Sequence, residues 1–372
     1  MERDYVKEFE WFHSHPEVGF KEFETTERIK QILREENIEE IPFDLPTGAL
    51  CIIRGNKKGN NRLLRADIDA LPMEEKTELP YASVNKGVMH ACGHDAHIVM
   101  GLMTADILNR NRDSVCGNVY VLFQPGEEVF DGARAVLGTK AVDDIDEFYA
   151  YHVNPAKETG VLELKEKGVT SSVDRFNISV TGTGAHAAMP HMAHNPIYTL
   201  SSMVEAIETR SGRRIDAFTP AVVSVTRINA GTTWNIIPER GEFEGTVRSL
   251  DEDARRQIKE EVEQIVRAYG MLDGVKAKIR WQEGSHIAYN DADLYLKSVK
   301  LARELGYRYD SGENIMIGDD FGDYAPYGSG KKSIYIRIGS GKGYTYHHPE
   351  FRVDPAVLGK GAFFMSRLIM SS

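Results

Sequence analysis

What most constrains this chain is the order in which its apolar segments alternate. Between residues 49 and 153, short apolar runs ("GALCIIRG", "RLLRADID", "NVYVLFQP", "EFYAYHV") take turns with helical stretches ("HIVMGLMTADILN", "GARAVLGTKAV"). Strands that are apolar on both faces must be covered on both faces. That predicts a largely parallel sheet sandwiched between helices. Upstream, "FKEFETTERIKQILREEN" sets Phe20, Phe23, Ile29, Ile32 and Leu33 at helical spacing with acidic residues early, which predicts a further helix.

Near Arg175 the rhythm changes. "RFNISVTG" reads as a strand and "NPIYTLSSMVEAIETR" as a helix opened by proline. "AVVSVTRI" and "GEFEGTVRS" follow as strands, "DEDARRQIKEEVEQIVRAYG" as a helix ending at glycine, and "VKAKIRWQEG" as a strand. The order β-α-β-β-α-β is that of ferredoxin-like modules. After it, "DADLYLKSVKLARELG", "KSIYIRIGS" and "PAVLGKGAFFMSRLIM" resume the first rhythm. The expected organisation is a large α/β domain in two parts, residues 1–173 and 285–372, with a ferredoxin-like domain inserted at 174–284. A chain of 372 residues has the length for two or three such cores.

Charge and composition exclude several roles. A net charge of -11 with no basic stripe repels phosphate backbones, so nucleic acid is not an expected partner. No apolar run is long enough to span a membrane. The charged N-terminus "MERDYVKEFEWF" lacks the apolar core of a signal peptide, so the cytoplasm is the expected location. Cys51, Cys92 and Cys116 are too few and too scattered for a disulfide framework.

In open α/β sheets, ligands gather beyond the carboxyl ends of the strands. Reading outward from those ends gives Asp67 and Asp69 after "LLRADID", Glu127 and Glu128 after "VYVLFQPG", and His152 in "FYAYHV". His347 and His348 follow "SIYIRIGS". "MHACGHDAH" adds Cys92 and His94. A lone histidine or an acidic pair is ordinarily a solvated or hydrogen-bonded group, but this many donors at successive strand ends imply one shared site. Mixed nitrogen, sulfur and oxygen donors suit a borderline-soft divalent metal such as zinc. Cys92 has no nearby resolving cysteine for redox chemistry, and His94 is too close in the chain for a thiol–imidazole nucleophile pair.

These motifs, in order, resemble the M20-type metallopeptidases, specifically the amidohydrolase branch acting on N-acyl and indoleacetyl amino acids and hippurate. The resemblance runs through "FHSHPEVGFKEFETT", "RADIDALP", "MHACGHDAH", "FQPGEE", "YHV", "GTGAHAAMPH", "NIIPERGEFEGTVRS", "GDDFGDY" and "HHPEF". It implies metal ligands at Cys92, His94, Glu128, His152 and His347, a general acid/base at Glu127, and an orienting aspartate at Asp69. It also implies a pair of divalent ions per subunit, manganese or zinc, with cobalt or nickel as options. The inserted domain would act as a lid through which two subunits dimerise. His186 would stabilise the oxyanion, and Asn235 and Arg248 would hold the substrate's carboxylate. The implied reaction is hydrolysis of N-acyl amino acids to a carboxylic acid and a free amino acid, with a dipeptidase or aminopeptidase as the alternative and a non-catalytic relative less favoured. Gly126, Thr183 and Asp319 depart from the residues commonest in the family at those places, and none is an implied ligand.

Overall fold

A computed structural model describes residues 3–371, which divide into two compact units. The first comprises residues up to Val169, then 288–313 and 320 onward; the second comprises 170–287 with 314–319. The span 174–284 read from the sequence falls inside the second unit. Residues 314–319, read as part of the other domain, cluster with the second unit instead.

The first unit is built on an eight-stranded sheet. Its strands run in the order 39–40, 49–54, 118–124, 62–67, 147–154, 332–339, 162–163, 309–310. The four central strands, 118–124 to 332–339, are mutually parallel, while 49–54 joins them antiparallel. All six residues of Arg62–Asp67 and all eight of Glu147–Asn154 are buried. Both faces carry a core, as the sequence demands. Leu64, Ala66, Phe123 and Tyr151 pack with Ile98, Leu102, Phe364 and Leu368 on one side, while Leu63, Leu122 and Phe148 pack with Val136 and Phe321 on the other.

The second unit has a four-stranded antiparallel sheet in the order 221–230, 240–249, 172–181, 276–283. Numbered along the chain that order is 2-3-1-4, the ferredoxin-like arrangement. Strand 172–181 alternates buried and more exposed residues, so one face is covered. Phe176, Ile178, Val180 and Phe243 of the sheet meet Leu200, Met203, Ile258 and Val262 of helices Pro196–Arg210 and Glu252–Leu272. Among the described residues, no helix is long and apolar enough to cross a membrane.

Two local expectations fail. Phe20, counted on an apolar helix face, lies before helix Phe23–Glu35 at φ 60, and Phe23 is exposed, so the stripe begins only at Ile29. The second long helix does not stop at Gly270 but runs to Leu272, and Gly274 takes the left-handed turn at φ +63. Gly270 is there for space: a Cβ on it would stand 3.2 Å from that of Ala277.

Candidate metal centre

Because the central strands are parallel, their carboxyl ends line one edge of the sheet, and the candidate residues emerge there. Asp67 closes strand Arg62–Asp67, with Asp69 two residues beyond. Gln124 closes strand Asn118–Gln124, and the turn Pro125–Gly126 delivers Glu127 and Glu128. His152 stands in strand Glu147–Asn154. Cys92 and His94 flank Gly93, which caps helix His94–Arg110 at φ +90; a Cβ there would stand 2.4 Å from Val153 Cγ2. Only glycine takes that turn without strain or collision, and the turn aims the thiol and the imidazole at one place. His347 sits at φ 60, with its N–H bonded to Ala91 O at 2.9 Å, so its loop is tied to the Cys92 segment.

The donor atoms of Cys92, His94 and His152 lie within 4.8 Å of one another, as do those of Cys92, Glu128 and His347. Cys92 belongs to both groups. A third group joins His94, Glu127 and Glu128. The five residues implied as ligands thus converge in two half-sites that share one thiol.

Hydrogen bonding leaves the facing atoms with lone pairs to give. His152 Nδ1 donates to Val153 O at 2.8 Å, turning Nε2 to Cys92 Sγ at 3.5 Å. Burial pushes its pKa well below the usual range, so the ring is neutral. His94 Nδ1 bonds Asp69 O at 2.9 Å, while its buried Nε2 has no hydrogen-bond partner. Glu128 Oε1 is likewise buried without one, and Oε2 lies 3.4 Å from His347 Nε2. Orphaned buried atoms of this kind carry a cost unless a cation meets them. The carboxylates crowded here also favour positive charge, whether it is carried by a proton or by a cation. Burial, and then the Glu128, Glu127 and Asp67 carboxylates, drive the Cys92 thiol well above its usual pKa. Burial opposes charge on His94, yet Asp67, Asp69 and Glu128 raise it to about 10. These residues fit a divalent metal pair.

Asp69 acts through two routes. Its carbonyl fixes the His94 tautomer, and its carboxylate accepts the N–H groups of Glu127 (3.1 Å) and Glu128 (2.9 Å). Glu127 is buried, with Oε2 3.9 Å from His94 Nε2.

Behind the ligands lies a layer the motifs alone did not reveal. His97 Nδ1 bonds Asp67, and its Nε2 accepts Val153 N at 2.9 Å, which anchors the strand carrying His152. Asp67 also pairs with the buried Arg65, whose guanidinium reaches Asp320 at 2.7 Å and Gln124 at 3.1 Å. The available signals were an arginine inside a buried strand, which must be paired, and His97 one helical turn from His94.

In the second unit, His186 is exposed on a short strand, Ala185–His186, paired with Ile236–Ile237. Ala187 N donates to Asn235 O at 3.1 Å, so His186 and Asn235 share one ribbon. Arg248 does not join them. It lies near the far end of strand Arg240–Ser249, opposite Val173, with its guanidinium on Met316 O at 2.9 Å. Eight residues of strand at roughly 3.3 Å each put about 26 Å between Arg240 and Arg248.

The family model described as Peptidase family M20/M25/M40 matches residues 63–371. An N-acetyl-L-cysteine deacetylase of Bacillus subtilis is 36% identical over 353 residues, 95% of this chain and 84% of the relative. Thermostable carboxypeptidase 2 of Saccharolobus solfataricus is 33% identical over 359 residues, covering 94% and 90% of the two chains. The crystal structure of a dinuclear metal-binding M20 peptidase from Bacillus subtilis superposes with a TM-score of 0.89 at 32% identity, covering 99% of this chain and 96% of that one.

Proposed function

Since the chain belongs to peptidase family M20/M25/M40, we propose that it is a metal-dependent amidohydrolase that splits N-acyl amino acids into a carboxylic acid and a free amino acid. The observation that carries this reading is the double half-site joined at Cys92 with the buried Glu127 beside it. The deacetylase and the dinuclear peptidase above support it by name.

Cys92, His94 and His152 would hold one divalent ion, and Cys92, Glu128 and His347 the other, manganese or zinc before cobalt or nickel. Bound there, the ions supply Lewis acidity for the scissile carbonyl and the attacking water. Glu127 takes the proton of that water and passes it to the leaving nitrogen. Its neighbour Glu128 is committed as a ligand, so the adjacent carboxylates divide the work. Asp69 keeps both in place by gripping their backbone N–H groups. His186 would stabilise the developing oxyanion, and Asn235 and Arg248 would hold the substrate's carboxylate. Because the ribbon with His186 and Asn235 and the Arg248 position lie at opposite ends of one sheet, they meet one substrate when two copies of the chain each contribute an end. A homodimer through the second unit does this reciprocally. The three unpaired cysteines accord with a cytoplasmic enzyme.

The test is a hydrolysis screen of N-acetyl, N-benzoyl and longer N-acyl amino acids after metal reconstitution, with free dipeptides in the same plate. N-acyl substrates should be cleaved, and Glu127→Ala should keep its metal while losing turnover. Cleavage of dipeptides alone would favour a peptidase, the activity in the name of the carboxypeptidase relative.

A further inference from the structure

The turn that presents Glu127 is gripped by the segment that leads into helix Phe23–Glu35. Glu22 is completely buried at the start of helix Phe23–Glu35. Its Oε1 accepts the N–H of Gly126 at 2.9 Å, and its Oε2 accepts the hydroxyl of Thr47 at 2.7 Å. With the two bonds that Asp69 accepts, three successive amides, those of Gly126, Glu127 and Glu128, all end on two buried carboxylates. Among the described residues, no lysine or arginine pairs with Glu22.

Chain geometry reinforces the grip. Gly126 stands at φ +68, and a Cβ on it would lie 2.7 Å from the Phe20 ring. Gly19 approaches so closely that its Cβ would lie 3.2 Å from both Asp69 Oδ2 and Gly126 Cα. Residues 19–22 therefore wrap the Gly126 turn, and the departure from helix at Phe20 is what lets the ring lie over it. A buried carboxylate without a cation costs stability unless backbone dipoles meet it. Burial, countered in part by Thr47, raises Glu22 to a pKa of about 7. A residue chosen for stability alone would be apolar here. What the carboxylate adds is a fixed acceptor at a fixed reach.

We propose that Glu22 is a positioning residue for Glu127: jointly with Asp69 it pins the amides of the Gly126–Glu128 turn and so fixes where the Glu127 carboxylate stands. This rests on the reading of Glu127 as the proton carrier. It predicts that reach matters more than charge. Glu22→Gln keeps an oxygen at the same distance from Gly126 N and should retain kcat within about two-fold. Glu22→Asp keeps the charge but withdraws the acceptor by one methylene, and kcat should fall by about ten-fold or more, since misplacement by about 1 Å can cost as much as a hundred-fold. KM and bound metal, measured by mass spectrometry, should stay near wild type in both. Thr47→Val, which removes the other bond to the same carboxylate, should lower the melting temperature without lowering kcat.

The inference is overturned if Glu22→Asp turns over like wild type, if Glu22→Gln is the more damaged, or if the loss in Glu22→Asp is accompanied by lost metal or lost folding. Glu127→Ala serves as the control on the underlying reading. Should that variant stay active, the assignment of the proton carrier fails. Should it be inactive while Glu22→Asp is fully active, only the role of Glu22 fails.

Discussion

Replacing His13 with glutamine should remove a pH dependence of stability that the structure makes calculable. His13 occupies the last turn of helix Tyr5–Ser14, almost wholly buried, with Nδ1 2.6 Å from Asp95 and Nε2 3.2 Å from Glu75. Tyr81 closes over the ring edge-on at 5.3 Å. Burial opposes the imidazolium, but the hydrogen bonds to Asp95 and Glu75 outweigh it and raise the pKa from 6.5 to about 9. At about 1.4 kcal/mol per pKa unit, a rise of that size is worth about 3 kcal/mol. The folded state holds the proton more tightly than the unfolded chain. The contribution is therefore complete below about pH 6.5 and is lost as pH rises through 9. Asp95 and Glu75, both held below their usual values against burial by His13, behave oppositely and lose their contribution as pH falls through the carboxylate range. Urea unfolding of the metal-reconstituted protein at pH 6 and pH 9, in wild type and His13→Gln, isolates the imidazole by difference. Wild type should lose about 3 kcal/mol more than the variant between the two conditions. Parallel losses would refute the argument, because they would mean that His13 is not charged in the folded state.

Three further outcomes follow from the geometry. Because Cys92 belongs to both half-sites, Cys92→Ala should abolish binding of both ions, whereas His152→Ala and Glu128→Ala should each lower the stoichiometry from about two to one, read by native mass spectrometry. In the second unit, Arg255 is bonded through two nitrogens to the fully buried Asp174, whose other cation, Lys259, stands 3.8 Å away, so Arg255→Leu leaves a buried carboxylate with a single long ion pair and should cost about 3 kcal/mol in urea titration. The proposed donation of His186 between copies predicts that mixing the Glu127→Ala and His186→Ala variants, each nearly inactive, restores part of the activity; no recovery in proven heterodimers would refute it.

The sheet of the first unit was legible because its strands are apolar on both faces. Leu63 and Leu64 show why, since adjacent residues end in opposite cores. The convergence of Cys92, His94, Glu127, Glu128 and His152 was legible because strand ends and a glycine turn announce themselves locally. Their supports did not. His13 meets Asp95 across 82 residues of chain, Glu22 meets Gly126 across 104, and Arg65 meets Asp320 across 255. No periodicity encodes such pairings, which arise only once the layers have closed. Phe20 misled for a related reason: its spacing fits a helix face, but its ring is recruited to a turn far along the chain.

The grip of residues 19–22 on the Gly126 turn bears on modularity. The family model begins at residue 63, inside strand Arg62–Asp67, although the curated relatives match over nearly the whole chain. Yet Phe9, Phe12, Ile29, Ile32 and Leu33 belong to the principal core, and strand Ala49–Arg54 seals one side of Asn118–Gln124. A fragment trimmed to the matched span would bare a row of unpaired amides and carbonyls about 20 Å long on an apolar strand, an invitation to pair with other chains. The edge of the family model is therefore not the edge of a cooperative unit, and any excision, fusion or permutation of this enzyme has to carry the residues before it along as part of the active unit.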